Sequence, residues 1–138
     1  MTLPADDSLL DLLGRVQQSA IQLHGGVRDA INQLTGQRSD HPLELTLSQA
    51  IRYLEARVGN LPAGDQRTEL LAWIHEQGMP AADRRTRVTS ARTFIAHDGK
   101  QSLRDATTGD QFDADDLFDV AYQLAQAART LPTGPYAQ

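Results

Sequence analysis

Hydrophobic residues along most of this chain recur at alternating steps of three and four, the spacing of one face of an α-helix. This spacing first predicts a helix over about 7–34, whose face is formed by Leu9, Leu13, Val16, Ala20, Leu23, Val27, Ala30 and Leu34. The acidic residues just before it suit the start of a helix, where backbone N–H groups need acceptors. Because glycine is a poor helix former, the pair Gly25-Gly26 predicts either a kink or a close crossing with another helix.

Four further helices are predicted after the polar segment that begins at Gly36. The periodic segments cover about 48–58, 65–77, 81–97 and 114–131. Glycine-containing stretches are expected to end the first three of them, namely Gly59-Asn60, Gly78-Met79-Pro80 and Asp98-Gly99. Between 100 and 113 the helical period is lost, which predicts a loop or a small β-hairpin before the last helix. We expect one all-α domain over 1–138, a five-helix up-and-down bundle with a flexible tail at about 132–138.

The composition favours a helical core, and it also indicates where in the cell the protein is expected. Aromatic residues make up 5% of the 138 residues, so the core must be built from aliphatic side chains, which favours helices over a β-sandwich. Cysteine is absent, which excludes disulfides, thiol nucleophiles and cysteine-based zinc sites. The N-terminus MTLPADDS is acidic where a signal peptide would be basic, and no apolar stretch is long enough for a membrane span. We expect a cytoplasmic protein with no membrane partner.

Several motifs that could carry chemistry are incomplete. His75-Glu76 begins like the zinc-binding H-E-x-x-H motif, but Met79 stands at the second histidine position. An acidic cluster near the last helix lacks the regular spacing of a calcium loop, so helix capping better explains Asp113, Asp115, Asp116 and Asp119. The sequence has no glycine-rich phosphate loop and no G-x-S-x-G motif. We therefore expect no metal ion and no cofactor.

Positive charge is concentrated in one part of an acidic chain. The formal net charge is −5, which argues against a broad surface for duplex DNA. The stretch ADRRTRVTSARTF nevertheless carries four arginines and one opposing carboxylate, Asp83. Three of these arginines are expected to guide an RNA backbone if the protein acts on RNA, namely Arg84, Arg85 and Arg87.

Arg92 and His97 form the pair best suited to catalysis. A guanidinium binds phosphate oxygens bidentately and offsets charge in the transition state, and an imidazole transfers protons near neutral pH. Such a pair could cleave RNA without a metal ion, because RNA supplies its own 2′-OH nucleophile. On an ideal helix, five residues at about 100° each would separate the two side chains by about 140°. Convergence would therefore need an unwound helix end at His97 or a second copy of the chain.

The stretch ARTFIAHDG resembles the Arg-x4–6-His motif of the HEPN superfamily, and R-x-F-I-A-H is similar to its common form R-N-x-I-A-H. The superfamily comprises small all-α domains of prokaryotic toxins, abortive-infection proteins and CRISPR-associated ribonucleases. The resemblance implies a metal-independent endoribonuclease of toxin or defence type, a homodimer, an RNA substrate and a possible antitoxin partner. Arg92 would bind the scissile phosphate and His97 would act as general acid or base. Thr93, where the family often has asparagine, would orient the substrate or the histidine.

A purely structural role for the same residues gives a different prediction. Arg92 could pair with Asp98 or another acidic neighbour. His97 could cap the helix C-terminus, where the helix dipole favours positive charge. The protein would then be a non-catalytic helical subunit that binds RNA or a partner protein.

Overall fold

The chain folds mostly into helices, as a computed structural model that describes residues 6–96 and 98–132 shows. Within these residues the helices are α1 (Asp7–Thr35), α2 (His41–Glu44), α3 (Leu47–Val58), α4 (Asp65–Trp73), α5 (Met79–Thr89) and α6 (Ala114–Thr130). A π-helical turn, Ile74–Gly78, joins α4 to α5. The strands are β1 (Arg92–Ile95), β2 (Gln101–Arg104) and β3 (Gln111–Phe112). The predicted helical class is confirmed, whereas all of the predicted tail beyond residue 132 lies outside the described residues.

Side-chain caps fix where three of the helices begin. The Asp6 carboxylate accepts a hydrogen bond of 2.8 Å from a backbone N–H in the first turn of α1. Thr46 and Gln49 form a reciprocal capping box at the start of α3. Asp113 and Asp116 do the same at the start of α6, with hydrogen bonds of 2.9 and 3.0 Å. The capping interpretation of the acidic cluster is confirmed for these two residues.

α1 and α6 form the most extensive packing interface and run side by side in the same direction. Leu9 and Asp113, near the starts of the two helices, line one groove. Near the ends, Gly26 lies against Leu131, and a Cβ atom at Gly26 would come 3.2 Å from Leu131 Cδ2. α1 continues unbroken through the glycine pair, and Gly26, unlike Gly25, lies at a close contact with the residue that follows α6.

The connection between α1 and α3 corrects the predicted up-and-down arrangement. After α1 the chain turns back, and the His24 Nε2–H donates to the Pro42 carbonyl at 2.8 Å. α3 then returns toward the end of α1, where Tyr53 and Leu34 line the same groove. These two helices therefore do not alternate in direction. The prediction assumed a short connection between antiparallel neighbours, whereas the segment 36–46 is long enough to return along α1.

The predicted break at Gly78-Met79-Pro80 is replaced by continuous helical structure. The Met79 N–H donates to the Ile74 carbonyl, which gives the wider turn of a π-helix. Pro80 lies at the beginning of α5, and a π turn beside it is one of the places where a helix accepts proline. A Cβ atom at Gly78 would come 2.8 Å from the ring of Trp73. This glycine is therefore required by close packing on an indole and does not end a helix.

The helix predicted over 81–97 is wrong in its second half, because α5 ends at Thr89. The hydroxyls of Thr89 and Ser90 donate to the Thr86 carbonyl at 2.7 and 3.2 Å, and such bonds compete with further helix formation. Three of the next five residues, Thr93, Phe94 and Ile95, are β-branched or aromatic, which favours a strand, and they lie in β1. Arg92 consequently lies on a strand, and His97 lies outside the described residues.

The three strands form an antiparallel sheet in the order β1-β2-β3 between α5 and α6. The register places Arg92 opposite Arg104, Thr93 opposite Leu103, and Leu103 opposite Phe112. Leu103 and Phe112 are buried, so the face that carries them lies against the helical core. Because successive side chains on a strand point to opposite faces, Arg92 and Arg104 lie on the outer face. The hairpin predicted before the last helix is thus present, and β1 enlarges it.

Candidate functional site

The outer face of β1 and β2 carries two directly opposed arginines and an aromatic ring. Arg92 and Arg104 are partners in the strand register, and both are exposed. Phe94 lies two residues after Arg92 and therefore on the same face. The guanidinium carbon of Arg104 lies 5.1 Å from the centre of the Phe94 ring, within cation–π range. We call these three residues the arginine–phenylalanine face.

Arg92 and Arg104 place like charges at directly opposed positions of this face. Like charges directly opposite each other on a sheet face weaken the strand pairing. Among the described residues, no carboxylate lies within 4.0 Å of Arg104. An anion held between the two guanidiniums would remove the repulsion and accept their hydrogen bonds. The arrangement is therefore suited to binding a phosphate group.

A tight turn between β1 and β2 fixes the arginine pairing. The Lys100 N–H donates to the Asp98 carboxylate at 2.9 Å, and the Gly99 N–H donates to the Ala96 carbonyl at 2.9 Å. Gly99 has a φ of 80°, a conformation that residues with a Cβ atom rarely adopt. The dipeptide Asp98-Gly99, which the sequence indicated as a helix end, is instead a hairpin turn. Positions 92 and 104 face each other because both are equally far from residue 98 along the chain.

Of the three residues predicted for the catalytic site, the structure describes Arg92 and Thr93. Arg92 is exposed at the start of β1. Thr93, predicted to orient the substrate, is half-buried opposite Leu103 and so lies on the inner face of the sheet. His97 lies outside the described residues, and its position relative to Arg92 stays a prediction.

The three arginines predicted to guide RNA lie in different surroundings on α5. Arg84 donates to the Gln123 side chain at 2.8 Å, on the side of α6. Arg87 forms an ion pair of 3.9 Å with Asp110, beside the connection between β2 and β3. Arg85 lines an apolar groove. The structure therefore does not gather these three side chains into one basic track.

Two grooves border the sheet. One, of about 290 Å³, lies between α1, the end of α5 and β2, and is lined mainly by apolar residues with Arg85. The other, of about 500 Å³, lies between the starts of α1 and α6 and the β1–β2 turn, and several carboxylates line it together with Lys100. Two of these carboxylates, Asp6 and Asp113, cap helices. In the described part of the chain no cluster of three potential ligands could hold a metal ion.

Sequence reasoning missed Arg104 and Phe94 as site residues because it assigned the stretch before residue 98 to a helix. The signal that could have found them is Asp98-Gly99 flanked by residues that favour strands, which is a strong hairpin signal. A hairpin centred there places Arg92 beside Arg104 and sets Phe94 next to both.

Comparisons with protein-family models, with curated proteins and with solved structures return no match to this chain. Among the described helices, none is both long and apolar enough to cross a membrane. A functional assignment therefore rests on the arginine–phenylalanine face and on the sequence around it.

Proposed function

We propose that the protein binds single-stranded RNA on the arginine–phenylalanine face. The observation that carries the proposal is the direct pairing of two exposed arginines, Arg92 and Arg104, on the outer face of the sheet. Opposed residues of antiparallel strands have Cα atoms about 4.5–5.5 Å apart, so both guanidiniums could contact one phosphate. Phe94 supplies a ring on which a base could stack, and such stacking contributes about 1–3 kcal/mol per base.

The small size of the face favours a short unpaired RNA segment. The molecule around it carries a formal net charge of −5, which would repel the many phosphates of a duplex. A single strand can present one phosphate and one unstacked base without covering the acidic surface. We expect an affinity that falls with salt, with a slope of about 0.7 per phosphate contacted on logarithmic axes.

Anisotropy of a labelled single-stranded RNA tests the site. Arg92→Ala and Arg104→Ala are each expected to weaken binding by about tenfold or more, because a hydrogen bond to a charged group contributes about 1.5–3 kcal/mol. Phe94→Leu should weaken it by about tenfold through lost stacking. Arg52→Ala removes an exposed arginine from α3 and should leave the affinity unchanged. Equal affinities in the Arg104→Ala and Arg52→Ala variants would refute the proposed face.

A second candidate is that the same face belongs to a metal-independent endoribonuclease. It is favoured by Arg92, which is exposed beside a second guanidinium, and by His97, which follows the end of β1 by two residues in the sequence. Arg92 and Arg104 would hold the scissile phosphate and offset its growing negative charge. His97 would take the proton of the 2′-OH or give one to the leaving 5′-oxygen. The HEPN resemblance would add a toxin or defence setting in the cytoplasm, a homodimer and an antitoxin partner.

Incubation with single-stranded RNA in excess EDTA separates the two candidates. The second candidate predicts cleavage by the wild type and none by His97→Ala, while RNA binding by that variant stays within about twofold. His41→Ala, which removes a different histidine that is exposed in α2, serves as the control and should cleave normally. Cleavage that persists in His97→Ala would overturn the catalytic role of His97. Binding without cleavage by the wild type would leave the RNA-binding proposal in place and end the second.

A further inference from the structure

The groove between the starts of α1 and α6 and the β1–β2 turn is lined by carboxylates from all three of these parts. Its volume of about 500 Å³ lies within the range of small-molecule sites. Asp6, Asp98, Asp113 and Asp115 line it together with Lys100. Among the described residues, none of these five side chains forms an ion pair. We call this space the acidic groove.

Ser102 gives the acidic groove a polar group that the fold leaves without a partner. It lies on β2 and is only 6% exposed, yet it lines the groove. Its hydroxyl forms no hydrogen bond within the described part of the chain. In that part, the only fully enclosed side-chain N or O atom without a partner is Nε of Arg67, so the Ser102 hydroxyl keeps access to the groove. Because buried polar groups are nearly always hydrogen-bonded, this hydroxyl indicates a bound group.

The balance of charge around the acidic groove favours a cation. Four carboxylates are opposed by the single ammonium of Lys100. Each helix start adds about half a positive charge, so the two starts together offset about one more carboxylate. About two negative charges then remain uncompensated, and a bound anion would be repelled.

The layout of the acidic groove favours an extended cation over a metal ion. In the described part of the chain no group of three potential ligands could hold a metal ion, so the carboxylates are spread along the groove. Leu9 and Leu12 form an apolar part of its wall. A linear aliphatic amine has the matching pattern, because methylene groups separate ammonium groups that donate to carboxylates. The Ser102 hydroxyl can accept a hydrogen bond from one of these ammonium groups.

We infer that the acidic groove binds a linear aliphatic polyamine, whose ammonium groups donate to the Ser102 hydroxyl and to the Asp115 carboxylate. These two positions are the informative ones, because Asp6 and Asp113 also cap helices. The inference goes beyond RNA binding, since no residue of the arginine–phenylalanine face lines this groove. It is tested without RNA, so its failure would leave the proposed function in place.

Calorimetric titration with spermidine tests the site. The wild type is expected to bind it with a Kd in the micromolar range at low ionic strength. Added salt should weaken this binding, because it screens exposed carboxylates. A linear diol, which lacks the positive charges, should not bind. A wild type that does not bind spermidine would overturn the inference.

Ser102→Ala separates a loss of binding from a loss of folding. It should weaken spermidine binding by about tenfold, because a hydrogen bond to a charged group is lost. Without spermidine it should unfold at the wild-type temperature, since the hydroxyl has no partner in the fold. Spermidine should raise the unfolding temperature of the wild type by more than that of this variant. Equal affinities of Ser102→Ala and the wild type would contradict the proposed contact.

Removal of single carboxylates distinguishes this site from a general attraction to an acidic protein. Asp115→Asn should weaken spermidine binding by about threefold, as expected for an exposed charge. Asp119→Asn removes the same charge from an exposed position of α6 outside the groove, and it should leave the Kd unchanged. Equal weakening by both variants would reduce the binding to nonspecific attraction and overturn the site. A lysine-rich peptide that binds where spermidine does not would overturn the assignment of a small molecule.

Discussion

Gly78 is required for packing at a helical position where glycine is otherwise unfavourable. It lies in the π turn, directly against the ring of Trp73. Trp73 is 4% exposed, and its Nε1–H donates to the Ala127 carbonyl of α6 at 2.9 Å. Because Gly78 has no side chain, the Trp73 ring can occupy the space beside it. From there the indole connects α4 to α6 through its hydrogen bond.

Gly78→Ala is expected to lower the free energy of unfolding by about 1–3 kcal/mol, the usual cost of overpacking a core. At an open helical position the same change would stabilise the helix by about 0.5–1 kcal/mol. Gly14 in α1 is such a position, since no atom lies within 4 Å of a Cβ placed there. Urea denaturation of Gly78→Ala and Gly14→Ala should give changes of opposite sign. An increase in stability in both variants would show that the indole does not restrict position 78.

At the scale of elements, the change from α5 to β1 places the candidate site. At the end of α5, the hydroxyls of Thr89 and Ser90 donate to the carbonyl of Thr86. The β-branched and aromatic residues that follow then pair with β2 across the Asp98-Gly99 turn. Arg92 thereby faces Arg104 across the sheet, which a continued helix would not allow.

Gly99→Ala should strain this turn, because an alanine in the left-handed region costs about 1–2 kcal/mol and Gly99 has a φ of 80°. We expect lower stability by about this amount, together with weaker RNA binding if the strand register shifts. Asparagine adopts the left-handed conformation more readily, so Gly99→Asn should have the smaller effect. Thermal unfolding and RNA anisotropy of both variants measure these changes. Equal stability of Gly99→Ala and the wild type would contradict the strained-turn explanation.

At the scale of the whole molecule, the helical core was predictable and its arrangement was only partly so. The starts of α1, α3 and α6 follow from hydrophobic periodicity and capping residues, because both are local properties of the sequence. The return of the chain along α1 was not predictable, since it depends on contacts such as that between His24 and Pro42. Helical periodicity around Val88 also extended past the true end of α5.

The candidate site was predictable only in part, for a similar reason. Arg92 could be selected from the sequence by its chemistry and by its distance from His97. Arg104 and Phe94 become its neighbours only through the pairing of two strands, which single-helix periodicity does not describe. Arg84, Arg85 and Arg87 are close together in the sequence, but Arg84 contacts α6, Arg87 pairs with Asp110, and Arg85 lines an apolar groove.

Trp73 is an intrinsic fluorescence probe of folding in this protein. The chain has one tryptophan, and it contacts the part of α6 farthest from the sheet, near Ala127. Its emission should therefore be that of a shielded indole and shift to longer wavelength when α4 separates from α6. RNA bound at the arginine–phenylalanine face would leave the emission wavelength of Trp73 unchanged. Folding can thus be followed by intrinsic fluorescence in the same sample in which a ligand is being titrated.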